Sequence, residues 1–163
     1  MKRLLIIRHA KTEQINYEND FERTLTERGH KDCKTMSARF MKLGVVPDMV
    51  LVSPSKRTRQ TADNLAKYLK WDKQSLVTLP NLYNASQKVL FNEIMLTDNS
   101  TNTLALVGHN PGITELFSSL SLDSIDNLPT TGMGLFELKI SNWQDLKADS
   151  GILIWKSWPS KED

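Results

Sequence analysis

The sequence predicts an α/β domain built on a mostly parallel central sheet with helices on both faces. Two apolar runs and their sequels carry that reading. Leu4, Leu5, Ile6 and Ile7 form a stretch with no polar member, as a strand covered on both sides requires. Thr103 to Val107 has the same make-up, and each run leads into a polar turn and then a helical pattern.

Arg8 and His9 fall at the carboxyl end of the first strand, the edge where open α/β sheets bind ligands. Lys11 to Thr24 is a polar loop without apolar periodicity. A helix is expected from Thr26, whose hydroxyl can cap free N–H groups, with Gly29, Cys33, Met36, Phe40 and Leu43 as its buried stripe and Gly44 as its stop. His30 lies off that stripe, at the surface. Met49 to Val52 is the second strand. Ser53 reads as a cap and Pro54 as the first residue of a helix that turns Thr58, Ala62, Leu65 and Leu69 inward. Lys56, Arg57 and Arg59 sit in its first turns, where the helix dipole favours anions, so they are either anion ligands or solvated charges.

Leu76 to Leu79 is a third strand, and Ser86 caps a helix reaching Leu96. After Thr103 to Val107 come Gly108, His109, Asn110, Pro111 and Gly112, so a second buried strand delivers a histidine from its end. Pro111 fits the first turn of the following helix. Leu135 to Ile140 and Ile152 to Trp155 supply the last strands, separated by a turn from Asn142 to Asp149 that contains exposed charges.

With 163 residues the chain suits one domain, with a core over about 2–156 and a tail over 157–163. A net charge of +2 from 21 basic and 19 acidic residues does not argue for nucleic acid. Trp143, Trp155 and Trp158 read as packing residues. Cys33 is the only cysteine, which excludes an internal disulfide and a thiolate metal cluster. No segment approaches membrane-spanning length, so no membrane partner is expected. A monomer in the cytoplasm is the expectation.

Arg8, His9, Arg57 and His109 are thus brought to one rim. Two guanidinium groups can grip phosphoryl oxygens, and an imidazole between them can attack phosphorus. Nearby positive charge lowers its pKa, and a backbone carbonyl on its other nitrogen would orient it. The second histidine, if charged, adds a donor to the equatorial oxygens. Zinc wants three or four protein ligands, and arginines beside both histidines would repel it. Neither a Walker A loop nor a Gly-x-Gly-x-x-Gly turn follows the first strand.

These segments resemble the histidine phosphatase superfamily, with its three-layer α/β/α phosphoglycerate-mutase-like fold, and within it the small SixA-type phosphohistidine phosphatases. Arg8-His9-Ala10 is similar to the family's Arg-His-Gly signature. Asp20, Arg23, Leu25, Thr26 and Gly29 resemble its next loop and helix start. Ser53 to Ala62 resembles the segment supplying the second arginine, which falls on Arg57, and Val107 to Gly112 the second-histidine motif. The resemblance implies a phosphatase that needs neither cofactor nor metal. His9 becomes transiently phosphorylated, Arg8, Arg57 and His109 clamp the phosphoryl group, and water resolves the phosphoenzyme. Asn16 corresponds, one residue further along, to a loop asparagine that touches phosphate in some relatives.

One departure narrows the substrate. Larger relatives place an acid after the third strand, but Leu79 to Lys88 contains no carboxylate. A positioned acid contributes ~100-fold to ~10,000-fold when an alkoxide must leave. Phosphohistidine can depart as neutral imidazole after taking a proton on its other nitrogen. Asp20, Glu18 or Glu22 from the first loop remain possible proton donors. The short loops leave little with which to build a lid. The expected activity is therefore hydrolysis of phosphohistidine on a protein. The alternatives are a phosphomonoesterase, broad or directed at a small metabolite, and a non-catalytic phosphate-binding module.

Overall fold

The computed structural model describes residues 1–14 and 17–163, the side chains of 17 and 18 excepted. Its centre is β1 (Lys2–Arg8), which pairs in parallel with β4 (Thr103–Gly108) on one side and antiparallel with β5 (Met133–Leu138) on the other. Beyond β4 lie β2 (Met49–Val52) and then β3 (Leu76–Thr78), both parallel. Beyond β5 lies the antiparallel edge strand β6 (Gly151–Ser157). The six-stranded order is β3-β2-β4-β1-β5-β6.

Alternation along β1 explains why its run has no polar member. Leu4 and Ile6 join one core cluster, under α3 (Gln87–Met95) and α4 (Gly112–Leu120). Leu5 and Ile7 join another, under α1 (Glu27–Met41) and α2 (Lys56–Leu69). Successive strand side chains point to opposite faces, so a strand roofed on both sides must be apolar at every position. β4 divides in the same way, with Leu104 and Leu106 on one side and Ala105 and Val107 on the other. This is the expected three-layer arrangement.

The helix caps follow the sequence closely. The Thr26 side chain accepts from the Gly29 N–H, and Ser86 from that of Val89. The buried face of α1 carries Gly29, Cys33, Met36 and Phe40 as expected, whereas Leu43 lies past the helix and is 37 % exposed. The start of α2 differs: the helix begins at Lys56, so the cap position falls on Ser55, whose side chain makes no capping bond, and Ser53 Oγ lies against His109. Trp143, read as a packing residue, is fully buried and donates through Nε1 to the Thr101 carbonyl. Nor is 157–163 a loose tail. Ser157 ends β6, and α1 holds the final residues through Arg28 to the Ser160 carbonyl and Arg39 to the Asp163 carboxylate. Among the described residues no helix is long and apolar enough to cross a membrane.

Candidate active site

The parallel register sets the two histidines side by side. Arg8 is paired with Gly108, so the next residues along, His9 and His109, leave neighbouring strand ends together. Their ring centroids are 5.4 Å apart. The His9 N–H donates to the Gly108 carbonyl, and the Thr131 N–H donates to that of His9. The Ala10 N–H is received by Thr61 Oγ1 of α2, which ties the strand end to the helix bearing Arg57.

Arg8, His9, Arg57 and His109 all line one open pocket of about 420 Å³, with Lys11, Thr12, Gln14, Arg23, Asn84, Asn110 and Thr130 around them. That volume suits a small polar ligand or the tip of a larger one. No carboxylate is among its described lining residues.

His9 is oriented by its own chain: Nδ1 lies 2.8 Å from the Ala10 carbonyl, which can only accept. The proton therefore sits on Nδ1, and Nε2 keeps its lone pair. Burial lowers the His9 pKa to about 4 against the raising effect of that bond, and Arg57, Arg8 and Arg23 push it the same way as burial. His9 is a neutral imidazole at physiological pH.

His109 is neutral as well. Burial comes first among the causes, followed by His9 and Arg57, and together they bring its pKa to about 3 although Asp20 opposes them. It therefore offers one N–H rather than the two of an imidazolium. Ser53 Oγ lies 2.6 Å from His109 Nε2, while His109 Nδ1 is buried with no partner among the described residues. If the hydroxyl donates to Nε2, the ring proton rests on Nδ1 and the serine proton is satisfied. The opposite arrangement satisfies the ring proton but leaves both the serine proton and the Nδ1 lone pair without a partner, so the first is favoured.

The guanidinium groups are held in different ways. Arg8 Nη1 donates to the Leu128 carbonyl, at 3.0 Å, from the loop ahead of β5. Arg57, 4 % exposed, donates from Nη1 to the Asp20 carbonyl and from Nη2 to the Asp20 carboxylate. The Asp20 carboxylate also receives Arg23 at 3.0 Å and the Tyr83 hydroxyl at 2.5 Å. Burial tends to raise its pKa, but Tyr83, Arg23 and Arg57 outweigh that and hold it at about 2. Tyr83 in turn stands edge-on to His109, with centroids 5.7 Å apart. Like His109 Nδ1, the Nε atoms of Arg8 and Arg57 are buried without a partner among the described residues.

The other expected positions are not drawn in. Arg59 is exposed and donates to the Pro54 carbonyl, away from the pocket. Lys56 is half-buried and does not line the pocket. Glu22 is exposed; Asn16 and the Glu18 side chain lie outside the described residues. His30 is at the surface, against Asn64. Sequence reasoning missed three supports: Ser53 on His109, Thr61 on the strand end and the Leu128 carbonyl on Arg8. The two hydroxyls lie inside the Ser53-to-Ala62 stretch, but the carbonyl leaves no side-chain signal. Among the described residues no three His, Cys, Asp or Glu side chains gather as metal ligands would.

Comparison with known proteins places this geometry. A family model, the histidine phosphatase superfamily (branch 1), matches residues 4–86, a span that includes Arg8, His9 and Arg57. An uncharacterised chloroplastic protein of Arabidopsis thaliana is 27% identical over 164 residues, 95% of this chain and 75% of its own. Among solved structures, a provisionally assigned phosphohistidine phosphatase SixA from Agrobacterium tumefaciens superposes with a TM-score of 0.82 at 23% identity, over 97% of this chain and 98% of that one. The protein histidine phosphatase SixA complexed with tungstate gives 0.80 at 21%, over 96% of each chain. A mycobacterial glucosyl-3-phosphoglycerate phosphatase gives 0.67 at 13%, over 94% and 97%. At such identities the structural likeness speaks for the fold. Through the family match, the chain belongs to branch 1 of the histidine phosphatase superfamily and is a phosphatase.

Proposed function

We propose that the chain is a phosphohistidine phosphatase of the SixA type, acting on phosphorylated protein through a covalent intermediate on His9. The observation that carries the reading is the pocket itself. A neutral, pre-oriented imidazole stands among two arginines and a histidine that each bury an unsatisfied nitrogen, with no carboxylate in the described lining. Unsatisfied buried donors are costly, and a phosphoryl group settling among them offers acceptors.

In this reading His9 Nε2 attacks phosphorus as the bond to the leaving nitrogen breaks. The leaving imidazole departs neutral, carrying a proton on its other ring nitrogen. Arg8, Arg57 and His109 hold the three equatorial oxygens, and water then displaces phosphate from His9. Asp20 is a weak candidate for general acid, because with a pKa of about 2 it holds no proton near neutrality. An ester, whose alkoxide needs that proton, is disadvantaged relative to phosphohistidine. Phosphomonoester hydrolysis is the second reading, favoured by the pocket's openness to any small phosphate.

Side-by-side kinetics on a phosphohistidine protein and a panel of phosphate esters decides between them. A kcat/KM at least about tenfold higher for phosphohistidine is expected, and strong preference for one small ester would refute the assignment. His9→Ala should reduce all turnover by about a thousandfold or more. It should also abolish acid-labile phosphate on the protein; persistence of that phosphate would show a different nucleophile.

A further inference from the structure

Two surface troughs border the phosphate pocket, and they carry opposite charge. The first, of about 380 Å³, shares Lys11 and Thr130 with the pocket and adds Arg28, Asp32 and Lys161. Its one carboxylate, Asp32, is neutralised by Arg28 at 2.8 Å. Lys11 and Lys161 are both exposed. The second, of about 200 Å³, shares Asn110 with the pocket and is lined by Glu115 and Asp126 with no cation. Both of those carboxylates are exposed, and neither has an ion-pair partner among the described residues.

On a chain whose 21 basic and 19 acidic residues are otherwise mixed, scattered charges would be the ordinary arrangement. Here the signs are segregated at two borders of one pocket. The pocket's own arginines and histidines are enough to hold a phosphoryl group, so the troughs lie where only the remainder of a larger substrate would reach. Charges placed this way select and orient a partner more than they tighten it.

We propose that the protein segment bearing the phosphohistidine lies across the mouth in one fixed direction, its acidic side chains over Lys11 and Lys161 and its basic ones over Glu115 and Asp126. The proposal rests on the phosphohistidine reading above and adds the charge pattern of the substrate. Three peptides test it, each carrying one histidine phosphorylated with phosphoramidate. One has two aspartates before the histidine and two lysines after it, the second has the reverse order, and the third has alanines throughout. The first two should differ in kcat/KM by about threefold to tenfold at low salt, with the better one exceeding the alanine peptide. Raising the ionic strength should shrink that difference, and the double variant K161E/D126K should cancel or invert it. Turnover of p-nitrophenyl phosphate normalises each preparation for active protein. Equal turnover of the two charged peptides would overturn the proposal while leaving phosphohistidine as substrate, as would a difference that survives the double variant. Hydrolysis of p-nitrophenyl phosphate without any of the three peptides would overturn both readings.

Discussion

At the scale of single residues, the division of labour between Arg57 and Arg59 shows how the backbone chooses among similar side chains. A helix turns by about 100° per residue, so positions two apart face nearly opposite ways. Arg57 is buried against Asp20, and Arg59 is turned out to solvent. Ser53 shows a different selection. Read as a cap from its place before Pro54, it sits against His109 Nε2 and leaves the capping position to Ser55. If that contact fixes the proton on His109 Nδ1, Ser53→Ala should lower kcat/KM about tenfold, the value of one orienting hydrogen bond, while KM for inorganic-phosphate analogues changes little. Unchanged kcat/KM with a lowered melting temperature would make the serine a packing residue only.

At the scale of elements, what could be read in advance was whatever leaves a pattern in side chains. The two-sided burial of β1 and β4 is written in their unbroken apolar runs, and the caps of α1 and α3 in single hydroxyl residues. The histidines' shared edge followed from those strands, whereas Arg57 was singled out from Arg59 only by the family resemblance. The loop from Leu122 to Thr131 has no periodicity, yet it supplies the carbonyl that holds Arg8 and the N–H that meets the His9 carbonyl. Backbone groups are the same at every residue, so only the fold reveals which of them are used. For Trp143, read as a packing residue, only the fold reveals the hydrogen-bond partner, the distant Thr101 carbonyl. Packing between β5 and α4 is equally specific: a Cβ added at Gly134 would come within 2.1 Å of Phe117 Cε2. Phe117 is fully buried with no room to retreat, so Gly134→Ala should cost about 1–3 kcal/mol, read from denaturant midpoints. A loss below about 0.5 kcal/mol would mean that this contact relaxes freely.

For the whole molecule, burying two histidines beside arginines has a thermodynamic signature. The folded-state pKa values of His9 and His109, about 4 and about 3, lie below the 6.5 of an unfolded histidine. Between those limits the unfolded chain binds more protons, so stability rises with pH through the window. It should be fully present above about pH 6.5 and fall as the pH drops toward 3. Asp20, at about 2 against 3.8, extends the loss at the acid end in the same direction. Urea unfolding at a series of pH values reads this directly, and replacing both histidines by glutamine should flatten the curve above pH 4. A wild-type curve already flat between pH 4 and 6.5 would show that the two rings are not held neutral.

The catalytic expectations assume that residues far apart in the chain surround a single tetrahedral anion. A crystal structure with tungstate bound tests that most directly. The account predicts the metal of the oxyanion against His9 Nε2, with its oxygens taking hydrogen bonds from Arg8, Arg57 and His109. Tungstate seated elsewhere, or bound here with Arg57 or His109 turned away from it, would contradict the account.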